Sequence, residues 1–188
     1  MVQSLTKTYS FDEYLSFSDG TDNKYELVNG ELVLMPTASG FHALILVFIY
    51  DLLKKEIERL KLDYKPMPGT VGVRTAENKS RIPDLVILSS EQCQEIRQMK
   101  TAVLDNAPML AVEIVSANNK QDDYRYKRSE YAVREIPEYW IIDPELEKIS
   151  ILILVDGFYE VTEYQQNDLI KSTLFPDLMV KANDFFAI

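Results

Sequence analysis

The sequence has few of the residues that build disulfide frameworks, zinc clusters or membrane spans. Cys93 is its only cysteine and His42 its only histidine, so neither an intrachain disulfide nor a zinc site built from cysteine and histidine can form. The most apolar stretch, residues 41–50, is well short of the roughly 20 residues that a transmembrane helix needs. No basic region followed by an apolar segment marks the N-terminus as a signal peptide. We therefore expect a cytoplasmic protein that does not enter a membrane.

Basic residues are also in the minority. The chain has 20 Lys and Arg against 30 Asp and Glu, a net charge of -10, which argues against a large basic surface. A local phosphate site stays compatible with this balance, because physiological salt screens exposed charges over about 8 Å. With 188 residues, 46% of them hydrophobic, and no internal repeat, the chain predicts one domain over residues 1–188.

Two short apolar runs each carry one carboxylate. Residues 82–88 have Asp84 near their start, directly after a proline, and residues 109–115 have Glu113 near their end. Both runs are rich in β-branched residues and bounded by turn formers, which predicts buried strands. An ionised carboxylate in such surroundings is costly unless a charge or a metal partners it. If the strands are neighbours, Asp84 and Glu113 converge on one hard cation.

A lysine follows in a segment with helical spacing. Tyr124, Lys127 and Tyr131 are spaced i, i+3, i+7, so they share one helix face. Tyrosines that face the core would bring the ammonium of Lys127 towards the sheet and next to Glu113. There the charge could orient an attacking water or stabilise a charged transition state.

Each of these residues also has a structural interpretation. Asp84 alone is typical of a turn before a strand, and Lys127 alone is typical of a solvated helix face. Glu113 could be held by a buried salt bridge to Arg74, Arg81 or Lys127. His42 at the start of an apolar helix is typical of a cap or a packing residue.

The remaining pattern predicts the fold class. Residues 24–28 and 31–35 flank an Asn-Gly pair, and residues 149–155 and 158–164 flank an Asp-Gly pair, so both read as β-hairpins. Helices are predicted from 42 to about 60 and from Asp122 or Asp123 to about 134, with a loop at 66–69. We expect an α/β domain with a mixed sheet flanked by helices and additional β-hairpins. The edge strands of these hairpins could pair with those of a second copy of the chain, so a homodimer is a hypothesis.

Taken in order, these motifs resemble a known family. The chain is similar to the Uma family of putative restriction endonucleases, within the PD-(D/E)XK nuclease superfamily, over nearly its whole length. The motifs that carry the resemblance are Tyr25-Glu26-Leu27-Val28-Asn29-Gly30-Glu31-Leu32, His42, Arg81-Ile82-Pro83-Asp84, Val112-Glu113-Ile114-Val115-Ser116, Lys127, Tyr131 and Ile136-Pro137-Glu138-Tyr139-Trp140-Ile141-Ile142-Asp143-Pro144.

The resemblance implies a restriction-endonuclease-like fold and hydrolysis of phosphodiester bonds in nucleic acid, with DNA as the expected substrate. It implies a divalent cation, Mg²⁺ or Mn²⁺, held by Asp84 and Glu113, and it matches Glu26 to a further acidic site residue. The superfamily pattern places a lysine two residues after the glutamate, where this chain has Val115; the family pattern supplies Lys127 instead. The alternative is a catalytically silent protein of this fold that binds nucleic acid or a protein partner.

Overall fold

Two β-sheets and the helices packed against them make up the fold in the computed structural model, which describes residues 7–116 and 120–188. The helical elements are α1 (Phe11–Leu15), α2 (Gly40–Leu60), α3 (Ser90–Ile96), a π-helical turn (Asp122–Lys127), α4 (Arg128–Val133) and a 3₁₀ turn (Ala182–Phe185). The strands are β1 (Tyr25–Val28), β2 (Glu31–Leu34), β3 (Tyr64–Pro68), β4 (Gly72–Ala76), β5 (Lys79–Arg81), β6 (Leu85–Ser89), β7 (Val103–Leu104), β8 (Leu110–Ile114), β9 (Glu138–Asp143), β10 (Lys148–Val155) and β11 (Phe158–Gln165).

The strands form two mixed sheets where the sequence predicted one. The larger sheet has the order β11-β10-β9-β8-β6-β3 and the smaller one β2-β1-β5-β4-β7. The neighbours β8 and β9 are parallel, as are β4 and β7, and the other pairs are antiparallel. Both predicted hairpins are present. Hairpin β1–β2 turns at Asn29 and Gly30, whose φ angles of 52° and 85° are those of a primed turn.

The larger sheet has a hydrophobic core on each face. Every fourth residue of α2 from Ile45 to Ile57 is buried and belongs to one core, together with Leu110, Val112 and Ile114 of β8. The alternate residue Ala111 belongs to the second core, with Tyr131 of α4 and Val73 of β4. Because strand side chains alternate between faces, Glu113 lies on the same face as Ala111, on the side of the second core, as the sequence predicts.

Two local predictions are wrong. Residues 66–68 do not form a loop: they lie in β3, which is one of the two edge strands of the larger sheet. Prolines fit there because an edge strand is paired on one side only. Asp122 and Asp123 do not cap the helix that is predicted to run to about residue 134, because both lie within the π-helical turn. In the part of the chain that the structure describes, no helix is long and apolar enough to cross a membrane.

Candidate active site

Asp84 and Glu113 are brought to one cavity by strand pairing. Strands β6 and β8 are antiparallel neighbours with Leu85 opposite Val112, so the next position along this register places Asp84 opposite Glu113. Residues directly opposite one another share a face of the sheet. Both side chains line a cavity of about 630 Å³. The condition on which the shared-cation prediction rests, that the two strands are neighbours, is met.

Glu113 is almost fully buried and has two partners from the helical segment that follows β8. Its Oε2 lies 2.8 Å from Lys127 Nζ, and its Oε1 accepts a 2.6 Å hydrogen bond from the Tyr131 hydroxyl. Burial raises the pKa of Glu113 well above its usual range, and the nearby charges of Asp123 and Asp84 act in the same direction, while Lys127 opposes them. The carboxylate is therefore held in place, but its charge is costly.

Lys127 lies between two buried carboxylates. Its Nζ is 2.8 Å from Glu113 and 2.9 Å from Oδ1 of Asp123, one i, i+4 step earlier in the π-helical turn. Burial alone would lower the pKa of Lys127, but the attraction of Glu113 and Asp123 raises it well above its usual range. The ammonium is thus charged at neutral pH and directed at Glu113, rather than solvated on the helix surface. Burial also raises the pKa of Asp123, to about 6.

Asp84 is oriented by two donors from different elements. His42 Nε2 lies 3.0 Å from Oδ1, and the backbone N–H of Ile114 donates to Oδ2 at 2.7 Å. An ionised carboxylate can only accept, so the His42 tautomer with a proton on Nε2 fits this contact. His42 stands in the first turn of α2, whose cap Ser39 accepts a hydrogen bond from the His42 N–H.

Sequence reasoning missed the contacts of His42 and Asp123 with the site. Its position at the start of an apolar helix predicts that His42 caps or packs, yet it lines the same cavity as Asp84, Glu113 and Lys127. Its partner lies 42 positions away, so no local pattern could reveal the contact. The signal for Asp123 was available, because a carboxylate four residues before a lysine pairs with it on a helix.

Glu26 lies outside this cavity. Its Oε2 accepts a 2.9 Å hydrogen bond from Arg81 Nη1, and its Oε1 accepts one of 2.9 Å from the backbone N–H of Ile82. Of the three cations considered as partners of Glu113, Arg81 binds Glu26 and Arg74 binds Asp105. A catalytic role for Glu26 stays a prediction.

The donor set of the cavity suits a hard cation. Within residues 7–116 and 120–188, no three His, Cys, Asp or Glu side chains form a ready cluster for a metal ion. Mg²⁺ does not need one, because it binds through one or two carboxylates and completes its coordination with water and phosphate oxygens. Each oxygen of Asp84 and Glu113 has a second lone pair besides the one its protein partner uses. The two carboxylates therefore fit Mg²⁺ or Mn²⁺.

The fold has a counterpart among solved structures. The crystal structure of a putative nuclease belonging to DUF820 from Anabaena variabilis ATCC 29413 superposes with a TM-score of 0.77, covering 95% of this chain and 97% of the other, at 16% sequence identity. At this identity the likeness shows the fold alone. It confirms the predicted class of α/β fold, with mixed sheets flanked by helices.

The sequence itself places the chain in a family. Residues 11–183 match the model of the family described as Uma2, putative restriction endonuclease, so the chain belongs to that family. The resemblance predicted from the motifs is thereby confirmed, and it supports a hydrolase that acts on nucleic acid. No curated protein matches the chain.

Proposed function

We propose that this protein is a metal-dependent endonuclease that hydrolyses phosphodiester bonds, with DNA as the substrate. One observation carries the proposal: a charged, buried lysine is aimed at a buried glutamate, 2.8 Å away, in a cavity that a second carboxylate also lines. A stable fold needs no such arrangement, because apolar residues of similar volume are often as stabilising as a buried ion pair.

The roles follow from the contacts. Asp84 and Glu113 would hold the cation, which when bound supplies an activated water and neutralises charge on the scissile phosphate. Lys127 would orient the attacking water and stabilise the charge that develops on the phosphate. Tyr131 fixes the Glu113 carboxylate, and His42 with the Ile114 N–H fixes that of Asp84.

The position of the lysine is compatible with this chemistry. Val115, which stands where the superfamily pattern has lysine, is buried and belongs to the second core. The helical segment after β8 brings an ammonium to Glu113 from another direction. Charge stabilisation depends on where the charge lies, not on which element carries it.

One observation favours the silent alternative. All four carboxylate oxygens of Asp84 and Glu113 already have protein partners. In a protein of this fold that only binds nucleic acid or a protein partner, these carboxylates would pair with protein groups alone and hold no cation. Cleavage itself therefore has to be measured.

The test is cleavage of supercoiled plasmid, linear duplex, single-stranded DNA and RNA, with Mg²⁺, with Mn²⁺ and with a chelator. We expect cation-dependent nicking or cutting by the wild type and none by Glu113→Gln or Asp84→Asn. Glu160→Gln, an exposed carboxylate on β11, is the matched control and should cut like the wild type. If the wild type cuts none of the four substrates with either cation, the silent alternative becomes the better account.

Two further expectations concern where and how the enzyme works. We expect it to act in the cytoplasm, where its substrate DNA would be. Strands β2 and β11, the hairpin strands of the two sheets, each lie at one edge, with β7 and β3 at the opposite edges, so the homodimer hypothesis predicts pairing through β2 or β11. Sedimentation of the wild type and of a proline variant in the middle of each edge strand would test this.

A further inference from the structure

We propose that Arg81 is a positioning residue that holds Lys127 at its place beside Glu113. The part of this inference that concerns cleavage rests on the proposed function. The part that concerns the position of Lys127 rests on geometry alone. Arg81 does not line the cavity and would not touch the substrate. It acts on the helical segment that carries Lys127.

The guanidinium of Arg81 is 2% exposed and binds that segment at two points. Its Nε and Nη2 donate to the two oxygens of Glu130 at 2.8 and 3.0 Å, and its Nη1 donates to Asp122 at 3.1 Å. Glu130 follows Lys127 by three residues and Asp122 precedes it by five. The two contacts therefore fix the segment on both sides of Lys127.

The segment needs such support because its backbone is not a regular α-helix. The turn Asp122–Lys127 is π-helical, a geometry that is rare and appears mostly as single turns. The direction in which Lys127 leaves the helix depends on this turn, so anything that holds the turn also holds the ammonium.

Arg81 is the last residue of β5, and its side chain also binds a neighbouring strand of the smaller sheet. Its Nη1 also donates to Glu26 at 2.9 Å, and Glu26 accepts from the Ile82 N–H. Glu130 further accepts from Thr75 of β4 and Lys79 of β5. The network thus joins the smaller sheet to the helical segment, and among the residues that the structure describes Arg81 is the one side chain that binds both Glu26 and Glu130.

A lysine at position 81 would keep the charge but lose the geometry. The planar guanidinium presents donors in a fixed fork that matches a carboxylate in two parallel hydrogen bonds, whereas an ammonium is a single point charge. Arg81→Lys therefore separates the positioning role from the need for a buried cation. Arg74→Lys is the matched control, because Arg74 lies on the neighbouring strand β4 and binds Asp105 instead of the helical segment.

The activity readout is a double-mutant cycle with Lys127→Met. We expect Arg81→Lys to lower kcat about 10–100-fold, the scale of misplacing a catalytic group, and to change KM little. In the Lys127→Met background the same substitution should cause no further loss, since the group that it positions is gone. A residue that only stabilises the fold would cause its full loss in both backgrounds, and that result would overturn the proposal.

The structural readout does not depend on cleavage. The ammonium of Lys127, buried between two carboxylates, should give a ¹H–¹⁵N Nζ signal in NMR that Lys127→Met identifies. Arg81→Lys should shift or broaden this signal, and Arg74→Lys should not. An unmoved signal would overturn the proposal, even if the wild type proved to be inactive; a shifted one would support it in that case too.

Asp122→Asn is a second variant that tests the proposal if the Arg81→Lys protein does not fold. Asp122 is partly exposed and makes one of the contacts with Arg81, so its substitution leaves Glu130 and Glu26 in place. We expect the same change in the Lys127 signal at smaller amplitude, with a smaller fall in kcat. No change in either quantity would count against the proposal.

Discussion

The Lys127 ammonium lies 2.8 Å from the Glu113 carboxylate, and both side chains are almost fully buried. Removing one partner of such a pair leaves the other as an uncompensated buried charge. Asp123 adds a second buried carboxylate on the same ammonium. When all three groups are ionised, the cluster carries one excess negative charge, which a bound divalent cation would neutralise.

Lys127→Met should abolish most cleavage and also weaken the fold. We expect a loss of roughly 10²–10³-fold in kcat, the scale of removing one preorganised charge stabiliser. The sequence alone predicts nearly intact folding for this substitution. The burial of the pair predicts instead a loss of about 3–5 kcal/mol in the free energy of unfolding at neutral pH, measured by urea titration.

The control for that variant is Lys120→Met. Lys120 precedes the π-helical turn, is partly exposed, and binds Asp143 at 3.0 Å. Asp143 also accepts hydrogen bonds from the Tyr124 hydroxyl and from the N–H groups of Glu145 and Leu146, so the loss of Lys120 should change cleavage little. If Lys120→Met were inactive and Lys127→Met cleaved like the wild type, the role assigned to Lys127 would belong to Lys120.

His42 should matter through its hold on Asp84. His42→Ala removes the donor 3.0 Å from Asp84 Oδ1 and should lower both cleavage and Mg²⁺ affinity about 10-fold or more, as loss of an orienting partner does. His42→Gln can still present a donor nitrogen and should recover part of both quantities. Calorimetric titration with Mg²⁺ checks the affinity. An affinity equal to that of the wild type in His42→Ala would contradict the role.

How much of this site the sequence could predict depends on how local each signal is. The faces of β8 follow from alternation, and the reach of Lys127 towards Glu113 follows from helical spacing, so both were predictable. The contacts of His42 with Asp84 and of Arg81 with Glu130 join residues 42 and 49 positions apart, and only the folded chain brings them together. The prolines of β3 favour a loop locally, and its edge position overrides that preference.

Asp123 should make stability fall as the pH rises through the mildly acidic range. Its pKa is raised to about 6 because burial outweighs the attraction of Lys127, while an unfolded aspartate titrates near 3.9. Between these values the folded state binds the proton more tightly, so the free energy of unfolding decreases from about pH 4 to about pH 6 on account of this group, and changes no further above it.

The difference between the wild type and Asp123→Asn isolates that contribution. We expect the stability of the wild type relative to the variant to fall by up to about 3 kcal/mol over this window, since one pKa unit corresponds to about 1.4 kcal/mol. Urea unfolding at half-unit steps of pH measures it. A difference that is flat or that rises with pH would show that Asp123 is not held in a costly charged form.

Magnesium should stabilise the folded protein, and more so at pH 8 than at pH 5. Burial raises the pKa of Glu113 above its usual range, so acid protonates the carboxyl that the cation needs. At a concentration 100-fold above its Kd, a ligand that binds only the folded state adds about 2.7 kcal/mol to the free energy of unfolding. For a chain of this size this raises Tm by roughly 5–10 °C.

Thermal melts of the wild type, Asp84→Asn and Glu160→Gln check this prediction. We expect Mg²⁺ to raise the Tm of the wild type and of Glu160→Gln at pH 8, and to leave the Tm of Asp84→Asn unchanged. If millimolar Mg²⁺ leaves the wild-type Tm unchanged at pH 8, or shifts the Tm of Asp84→Asn equally, the cation does not bind between Asp84 and Glu113.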